Sequence, residues 1–298
     1  GARNKDELKM FLTNMFNDRN ILTVKSDLIR KMIAYFIVSR RLDSAWENYK
    51  FIGNASPINP LTEKLVEKCN EKIEDYKVYQ AMRYTPPFAK DVIEEIIKDG
   101  ITNILLLPLY PQFSTTTTKS SVQDFIDYTP YSCKLEYIEE FYKNRKFNDC
   151  IINEIISNVE DASEYNLIFS AHGLPQKIVD KGDPYEEQMN EHVEILKNML
   201  ETKGINFKSI NLAYQSKVGP LKWLEPSLED MLKNFKEQKV IIYPIAFIVD
   251  NSETDFELDI EYREVAHDLG VKEYKVCRCV NDSDDFIEAI KDIIKGHK

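Results

Sequence analysis

The amino-acid sequence predicts an α/β protein with two Rossmann-like lobes, each built on a parallel sheet flanked by helices. Three observations carry this prediction. Short β-branched and apolar runs alternate with longer amphipathic stretches, the runs fall into two groups along the chain, and 298 residues suffice for two lobes with real cores.

The apolar runs are the predicted strands. In chain order they read KVYQAMRY, ITNILLLPLY, KLEYIEEF, YNLIFSAHG, SINLAYQS, KVIIYPIAFIV and EYKVCRC. Segments of helical period separate most of them, and one such segment closes at Gly204, a typical helix C-cap. We place the lobes at residues 1–145 and 146–298, with the ligand cleft between them and the last helix free to pack back on the first lobe.

The net charge and the cysteines limit the kinds of partner and the cell compartment that we expect. The net charge of −11 argues against nucleic-acid binding, which requires Lys and Arg to neutralise phosphates. The five cysteines are odd in number and scattered, which is not the pattern of a disulfide framework. We therefore expect a cytoplasmic protein. We also expect the protein to be a monomer.

One stretch, KSDLIRKMIAYFIVSRR at residues 25–41, has basic residues around an apolar centre. The favoured interpretation is an amphipathic helix buried on a core, and peripheral contact with a membrane surface is the minor alternative. No apolar run approaches the ~20 residues that a bilayer span requires.

Polar residues gather where the predicted strands end, which is where ligands bind in α/β folds. Phosphate loops of the forms G-x-G-x-x-G and G-x-x-x-x-G-K-[ST] are absent, and so is a G-x-S-x-G nucleophile turn, which disfavours nucleotide and hydrolase chemistry. The residues at the strand exits are Arg83 and Tyr84, Tyr110, Ser114 to Thr118, His172, Gln215 to Lys217, and Asp250 to Glu253.

His172 and Glu253 are the strongest pair among them, because each follows a buried-looking strand at an equivalent position. Glu257 and Glu261 follow Glu253 at steps of four, so on a helix the three carboxylates form a slowly turning row about 12 Å long. A local π-helix would straighten that row. A carboxylate row that leads to a His–Glu pair is a path for a metal cation or for protons.

These motifs resemble the ferrochelatase family, whose members insert ferrous iron into a porphyrin to make haem. The resemblance rests on FSAHGLP, GDPY, YQSKVGPLKWLEPS, YPIAFIVDNSETDFELDIEYREVA, MRYTPPF and LLPLYPQFSTTTTKSS, which occur in family order over nearly the whole chain. It implies chelatase-type lobes, a lyase, and protoporphyrin IX and Fe²⁺ as substrates in haem biosynthesis.

The resemblance also implies roles for particular residues. His172 matches the histidine of the S-A-H motif and Glu253 the glutamate of the E-T motif, and both are expected to be catalytic and to bind the metal. Glu257 and Glu261 match the acidic row of the family's π-helix. The porphyrin contacts that we expect are Arg83, Tyr84, Ser56, Trp223 and, from its strand-end position, Tyr110.

The sequence departs from the family pattern in three places. Asn251 stands where many members have a histidine, which removes an acid–base group. Only Cys277 and Cys279 lie near the end, and a [2Fe–2S] cluster needs four ligands, so we expect no cluster and no other prosthetic group. The family's first strand, which ends in a G-G turn, has no counterpart before Gly1.

Two alternatives stay open. One is a chelatase for another tetrapyrrole, such as coproporphyrin III or sirohydrochlorin, and the other is a noncatalytic tetrapyrrole-binding protein on the same scaffold. A slightly lowered pKa would leave His172 neutral and free to accept a proton or bind metal. Which of His172 and Glu253 takes the proton and which delivers the metal is not decided by the sequence.

Overall fold

The computed structural model describes residues 1–217, 219 and 221–297. The chain divides into two units. Unit 1 comprises Gly1–Pro108 and Ser114–Glu139, and unit 2 comprises Leu109–Phe113 and Glu140–Lys298. The sequence prediction drew a single boundary after residue 145, whereas here Glu139 is the last residue of unit 1, and residues 109–113 belong to unit 2.

Unit 1 is mainly helical. Its elements are α1 (Lys5–Asn17), α2 (Asp27–Phe51), α3 (Ile58–Lys72), α4 (Ala89–Lys98), β1 (Asn103–Leu106), α5 (Thr118–Tyr128) and β2 (Lys134–Tyr137). The strands β1 and β2 pair in parallel. Val92 and Ile96 of α4 pack with Ile104 of β1 to form one apolar cluster, and a second cluster joins α1 to α2.

The predicted strand KVYQAMRY is wrong, because residues 77–84 form no strand. The side chain of Asn70 takes the place of a neighbouring strand at this point. Its Oδ1 accepts a hydrogen bond from the Val78 N–H at 2.8 Å, and its Nδ2 donates to the Val78 carbonyl at 2.9 Å. The sheet of unit 1 therefore has two strands among the described residues.

Helix α2 also differs from the favoured interpretation of its sequence. Its buried face is formed by Arg30, Ala34, Val38 and Tyr49. The apolar residues near its start are instead exposed, with relative exposures from 52% to 72% for Leu28, Ile29, Met32, Tyr35 and Phe36. These five residues are called the apolar face of α2 below.

Unit 2 contains a four-stranded parallel sheet in the order β4-β3-β5-β6. The strands are β3 (Tyr165–His172), β4 (Ser209–Gln215), β5 (Lys239–Tyr243) and β6 (Glu273–Val276). Strand β5 stops at Tyr243, short of the predicted run to Val249, because Pro244 has no N–H to donate to a neighbouring strand. The central strands β3 and β5 are almost wholly buried, as the continuous apolar runs predict.

Helices surround this sheet. They are α6 (Arg145–Ser157), α7 (Gln176–Val179), α8 (Tyr185–Thr202), α9 (Leu228–Leu232), α10 (Tyr262–Asp268) and α11 (Asp284–His297), with two short 3-10 helices (Ala162–Glu164 and Lys233–Phe235) and a π-helix (Glu253–Glu261). The last helix, α11, packs on α6, where the rings of Phe147 and Phe286 lie 6.0 Å apart between centroids.

A fully buried histidine, His192 of α8, joins three segments of unit 2. Asn148 of α6 uses its Nδ2 to donate to the Tyr142 carbonyl, so its Oδ1 must accept from His192 Nε2, at 2.8 Å. His192 Nδ1 then accepts from Gln112 Nε2 at 2.7 Å. Burial lowers the pKa of His192 to about 3, so the ring is neutral.

The burial of neutral His192 predicts that the folded protein loses stability in acid. The folded pKa of His192 lies below the ordinary 6.5, so the unfolded chain binds the proton more tightly. The contribution of His192 to stability is complete above pH 6.5 and is lost as the pH falls toward 3, at up to ~1.4 kcal/mol per pH unit. We expect His192→Leu to be less stable at pH 7 but to lose less free energy of unfolding between pH 6 and pH 4, measured by urea titration.

The matched control is His267→Leu, because the side chain of His267 is 88% exposed. It should keep the pH dependence of the wild type. Parallel pH profiles for the wild type and His192→Leu would contradict the assignment.

Candidate active site

The site in unit 2 begins where β3 ends. His172 is the last residue of β3, and the Tyr185 hydroxyl donates to its carbonyl at 2.9 Å. Gly173 follows, and its N–H donates to the Gln215 carbonyl at 2.9 Å. A Cβ on Gly173 would lie 2.7 Å from that carbonyl oxygen, so this turn admits no larger residue without a backbone shift.

His172 and Glu253 meet, as the strand-end positions predict. His172 Nδ1 lies 2.7 Å from Glu253 Oε2, and the two side chains keep exposures of 38% and 32%. The contact occupies Nδ1 and leaves Nε2 as the ring nitrogen available to a substrate.

The carboxylate row lies on a π-helix, which confirms the geometry that would straighten it. The π-helix spans Glu253–Glu261, and the Tyr262 N–H closes it onto the Glu257 carbonyl, five residues back. Glu253 and Glu257 are partly buried, whereas Glu261 is exposed. The row therefore runs from the His–Glu pair to the protein surface.

Asn251 caps the start of this segment. Its Oδ1 accepts from the Glu253 N–H at 2.8 Å, and its Nδ2 donates to the Val249 carbonyl at 3.1 Å. Both functions of the amide are thus used to orient the backbone that carries Glu253. A histidine could supply the acceptor at Nδ1 but not the second bond in the same place.

Ser216 joins the first two carboxylates of the row. Its hydroxyl lies 2.7 Å from Glu257 Oε2 and 3.2 Å from Glu253 Oε2. The backbone of Ser216 has a φ of +66°, a conformation that is uncommon for a residue with a side chain. Sequence position alone had included Ser216 among the strand-end residues, but nothing in the sequence indicated this bridge.

Gln215 supports the same carboxylate from the end of β4. Its Nε2 donates to Glu253 Oε2 at 3.4 Å, and its Oε1 accepts from the Ser170 hydroxyl at 2.7 Å. Glu253 Oε2 is therefore held by His172, Gln215 and Ser216 together. Because β3 and β4 pair in register with His172 opposite Gln215, the sheet itself sets these distances.

The protonation state of His172 differs from the sequence expectation. Burial lowers the pKa of His172, but the charge and hydrogen bond of Glu253 and the charge of Glu257 outweigh it and raise the pKa to about 9. Burial raises the pKa of Glu253, but His172 and hydrogen bonds from Ser216 and Gln215 bring it below its ordinary value. The pair is therefore an imidazolium beside a carboxylate at neutral pH, and His172 is not free to accept a proton in this state.

Glu257 behaves in the opposite way. Burial first, and then the charge of Glu253, raise the pKa of Glu257 to about 7, although the Ser216 hydrogen bond opposes the shift. Glu257 thus exchanges a proton near neutral pH one step outside the His–Glu pair.

The pair does not form a complete metal cage by itself. Over residues 1–217, 219 and 221–297, no three His, Cys, Asp or Glu side chains are grouped so as to hold a metal ion.

Trp223 and Tyr110, two predicted porphyrin contacts, also belong to unit 2. Trp223 pairs with Pro175 in an antiparallel bridge, and its ring edge lies 3.4 Å from the Cβ position of Gly173. Tyr110 lies in the Leu109–Phe113 segment. Val218 and Pro220 of the KVGP motif lie outside the described residues.

Three predicted contacts lie in unit 1. Tyr84 donates its hydroxyl to Asp18 Oδ2 at 2.9 Å, and Arg83 pairs with the same oxygen at 3.1 Å. Ser56 is only 3% exposed, and its N–H donates to the Ala2 carbonyl at 2.8 Å. Nothing in the sequence indicated a role for Asp18, which lies just after α1.

The features of unit 2 define a chelatase-type α/β protein: a parallel sheet, a His–carboxylate pair at its carboxyl edge and a carboxylate row on a π-helix. Solved structures of the same fold include SirB from Bacillus subtilis with Fe³⁺, at a TM-score of 0.61 and 11% identity over 79% of this chain and 88% of that one. The sirohydrochlorin chelatase SirB from Bacillus subtilis subspecies spizizenii with cobalt gives a TM-score of 0.57 and 12% identity over 80% and 88%.

The family follows from sequence comparison. The ferrochelatase family model matches residues 1–298. Proteins named ferrochelatase are 52% identical in Sulfurimonas denitrificans (98% of this chain, 95% of the relative) and 49% identical in Nitratiruptor (98% and 96%). One in Helicobacter pylori is 42% identical (100% and 91%). The chain therefore belongs to the ferrochelatase family, a family of lyases that insert metal into porphyrin.

The raised pKa of Glu257 predicts that its carboxylate destabilises the folded protein above neutral pH. Its folded pKa of about 7 exceeds the ordinary 4.5, so its contribution to stability is complete below pH 4.5 and is lost as the pH rises through 7. Glu257→Gln cannot ionise and keeps an oxygen for Ser216. We expect this variant to be about 2 kcal/mol more stable than the wild type at pH 8 and equal to it near pH 4.5, measured by urea unfolding.

Glu261→Gln is the control, because Glu261 lies on the same π-helix but is exposed. It should change stability by no more than ~0.5 kcal/mol at either pH. A Glu257→Gln variant that is less stable at pH 8 would show that the carboxylate is not destabilised by its neighbours.

Proposed function

We propose that this protein inserts ferrous iron into protoporphyrin IX and releases the two pyrrole protons. The observation that carries the proposal is the hydrogen-bonded chain from Glu257 through the Ser216 hydroxyl to Glu253 and His172. The same π-helix ends at Glu261, which is exposed. Membership of the ferrochelatase family supports the reaction class.

In this proposal His172 and Glu253 are the catalytic and metal-binding residues, and Glu257 and Glu261 conduct metal or protons. A cation that arrives beside Glu253 cancels the negative charge that holds the proton of His172, so the imidazolium becomes more acidic. The imidazolium releases its Nε2 proton to solvent and keeps the Nδ1–H hydrogen bond to Glu253. Nε2 can then accept a pyrrole proton or bind the metal. Metal arrival and proton release are thus coupled through one hydrogen bond.

Iron is a substrate in this scheme, and we propose no resident prosthetic group and no iron–sulfur cluster. Fe²⁺ accepts both imidazole and carboxylate ligands, as do Zn²⁺ and Co²⁺. We propose that the porphyrin is held by Tyr84, Arg83, Ser56, Trp223 and Tyr110. The apolar rings among them suit the macrocycle faces.

The test is anaerobic Fe²⁺ insertion, followed by loss of porphyrin fluorescence. His172→Ala and Glu253→Gln should each lower kcat/KM by at least about a hundredfold, because each removes an acid–base group at the reacting centre. Binding of metal-free porphyrin should remain, and Glu264→Gln, an exposed carboxylate on α10, should retain wild-type activity. Near-normal turnover in either site variant would contradict the assignment.

Two competing functions are separated by the same assay. Turnover of coproporphyrin III in place of protoporphyrin IX would indicate the first, and tight porphyrin binding without metal insertion by the wild type would indicate a noncatalytic protein. The intact His172–Glu253 pair and carboxylate row favour catalysis, because a buried charge cluster is costly to keep without a use.

We also propose peripheral contact between a monomeric, cytoplasmic protein and a membrane surface. No helix among residues 1–217, 219 and 221–297 is long and apolar enough to cross a bilayer. The apolar face of α2 is exposed, and the exposed cations Lys25, Lys31 and Arg40 flank it. An anionic lipid surface complements both the apolar and the basic parts of this helix.

The double substitution Tyr35→Asp and Phe36→Asp should abolish sedimentation of the protein with vesicles of phosphatidylglycerol and phosphatidylethanolamine. The charges remove apolar area that would be buried in the lipid and repel its anionic headgroups. Tyr131→Asp alters another fully exposed ring of unit 1 and should leave sedimentation unchanged. Absence of vesicle binding by the wild type at low salt would rule out the contact.

A further inference from the structure

Asp18 is a buried carboxylate with an unusual number of partners. Its side chain is 2% exposed and lies just after α1. Oδ2 accepts hydrogen bonds from Tyr84 at 2.9 Å, from Arg83 Nη2 at 3.1 Å and from the Ser120 hydroxyl. Oδ1 accepts from the Asn20 N–H at 2.7 Å. One carboxylate thus joins the turn after α1, the MRY segment and the start of α5.

This carboxylate is ionised at neutral pH. Burial alone would raise the pKa of Asp18, but the hydrogen bonds from Ser120, Asn20 and Tyr84, together with the charge of Arg83, outweigh it and hold the pKa below its ordinary value. Asp18 therefore places a full negative charge against the Arg83 guanidinium.

Arg83 meets a second carboxylate on its other side. Nη1 lies 3.3 Å from Asp124 Oδ1, and Nε donates to the Ser120 hydroxyl at 3.0 Å. Two carboxylates thus share one guanidinium, so the cluster of Asp18, Arg83 and Asp124 carries a net charge of −1 when both are ionised. The side chain of Arg83 is still 26% exposed, and its guanidinium lies over the Tyr84 ring at 5.2 Å.

A guanidinium in this state is a poor partner for a carboxylate ligand. Three of its five N–H groups are directed to Asp18, Asp124 and Ser120, and an incoming carboxylate would meet the repulsion of two like charges nearby. An uncharged, apolar edge can instead lie against the guanidinium and the Tyr84 ring without removing a hydrogen bond.

We propose that Asp18, together with Asp124, makes the protein select a porphyrin with an uncharged edge at Arg83 and Tyr84. Protoporphyrin IX has vinyl groups at two positions where coproporphyrin III has propionates, so the cluster disfavours the second substrate. The proposal rests on the proposed function, because it takes Arg83 and Tyr84 as porphyrin contacts. Asp18 acts through Arg83 and is a specificity-determining residue, not a catalytic one.

The experiment measures kcat/KM for Fe²⁺ insertion into both porphyrins, for the wild type, Asp18→Asn and Asp124→Asn. Asp18→Asn keeps an acceptor for Tyr84 and Ser120 but leaves Arg83 with one anionic partner. We expect the wild type to prefer protoporphyrin IX, and each variant to shift the ratio of the two kcat/KM values toward coproporphyrin III by about tenfold. The dissociation constants of the metal-free porphyrins, measured by fluorescence, should shift the same way.

Asp99→Asn is the matched control. Asp99 is a carboxylate of unit 1 that also accepts from one cation and one tyrosine, Lys77 and Tyr79, each at 2.5 Å. It should leave the ratio of the two porphyrins unchanged, which separates the local effect on Arg83 from a general change of charge.

The outcomes separate this inference from the function on which it rests. A wild type that inserts iron into neither porphyrin contradicts the proposed function itself. An active wild type whose ratio is unchanged in Asp18→Asn, or whose activity with both porphyrins falls equally, overturns the selectivity role. If Asp18→Asn fails to fold, Asp124→Asn decides alone, because its carboxylate is more exposed, at 18%.

Discussion

The hydrogen-bonded ion pair between His172 Nδ1 and Glu253 Oε2 is the contact on which the rest of the site depends. Glu253 is partly buried, so an opposite charge and several donors must stabilise it. They come from two segments, the end of β3 with His172 and the end of β4 with Gln215 and Ser216. The parallel register of β3 with β4 brings Gln215 beside His172, and the π-helix brings Glu253 to the same edge. The chemistry therefore requires the sheet of unit 2 to be formed.

The neighbouring carboxylates of Glu253 and Glu257 have pKa values that are shifted in opposite directions. His172 keeps the pKa of Glu253 below its ordinary value, whereas burial and then the charge of Glu253 raise the pKa of Glu257 to about 7. Ser216 connects the two, at the expense of a left-handed backbone conformation. In the proposed reaction, this difference in proton affinity between Glu253 and Glu257 suits a path for a dication and for protons.

Unit 1 uses buried charge for a different purpose. The sequence predicts Arg83 as a porphyrin contact, and the structure pairs its guanidinium with two carboxylates, Asp18 and Asp124. In the proposed choice of porphyrin, a guanidinium that already meets two carboxylates attracts an anionic substituent less strongly. The apolar face of α2 shows the opposite arrangement, because large apolar side chains of unit 1 are exposed there.

The sequence by itself determined the α/β class, the strands of unit 2, the His172–Glu253 pair and the spacing of the carboxylate row. These follow from local pattern, because apolar periodicity marks strands and parallel strands end at a common edge. Only the tertiary structure decided that residues 77–84 form no strand and that the apolar face of α2 is exposed. It also decided that the charges of Glu253 and Glu257 outweigh burial and raise the pKa of His172. It alone brought Asp18 to Arg83, 65 residues further along the chain. Pairings across such separations, and the desolvation that sets a pKa, depend on which segments pack together, and no single stretch of sequence contains that information.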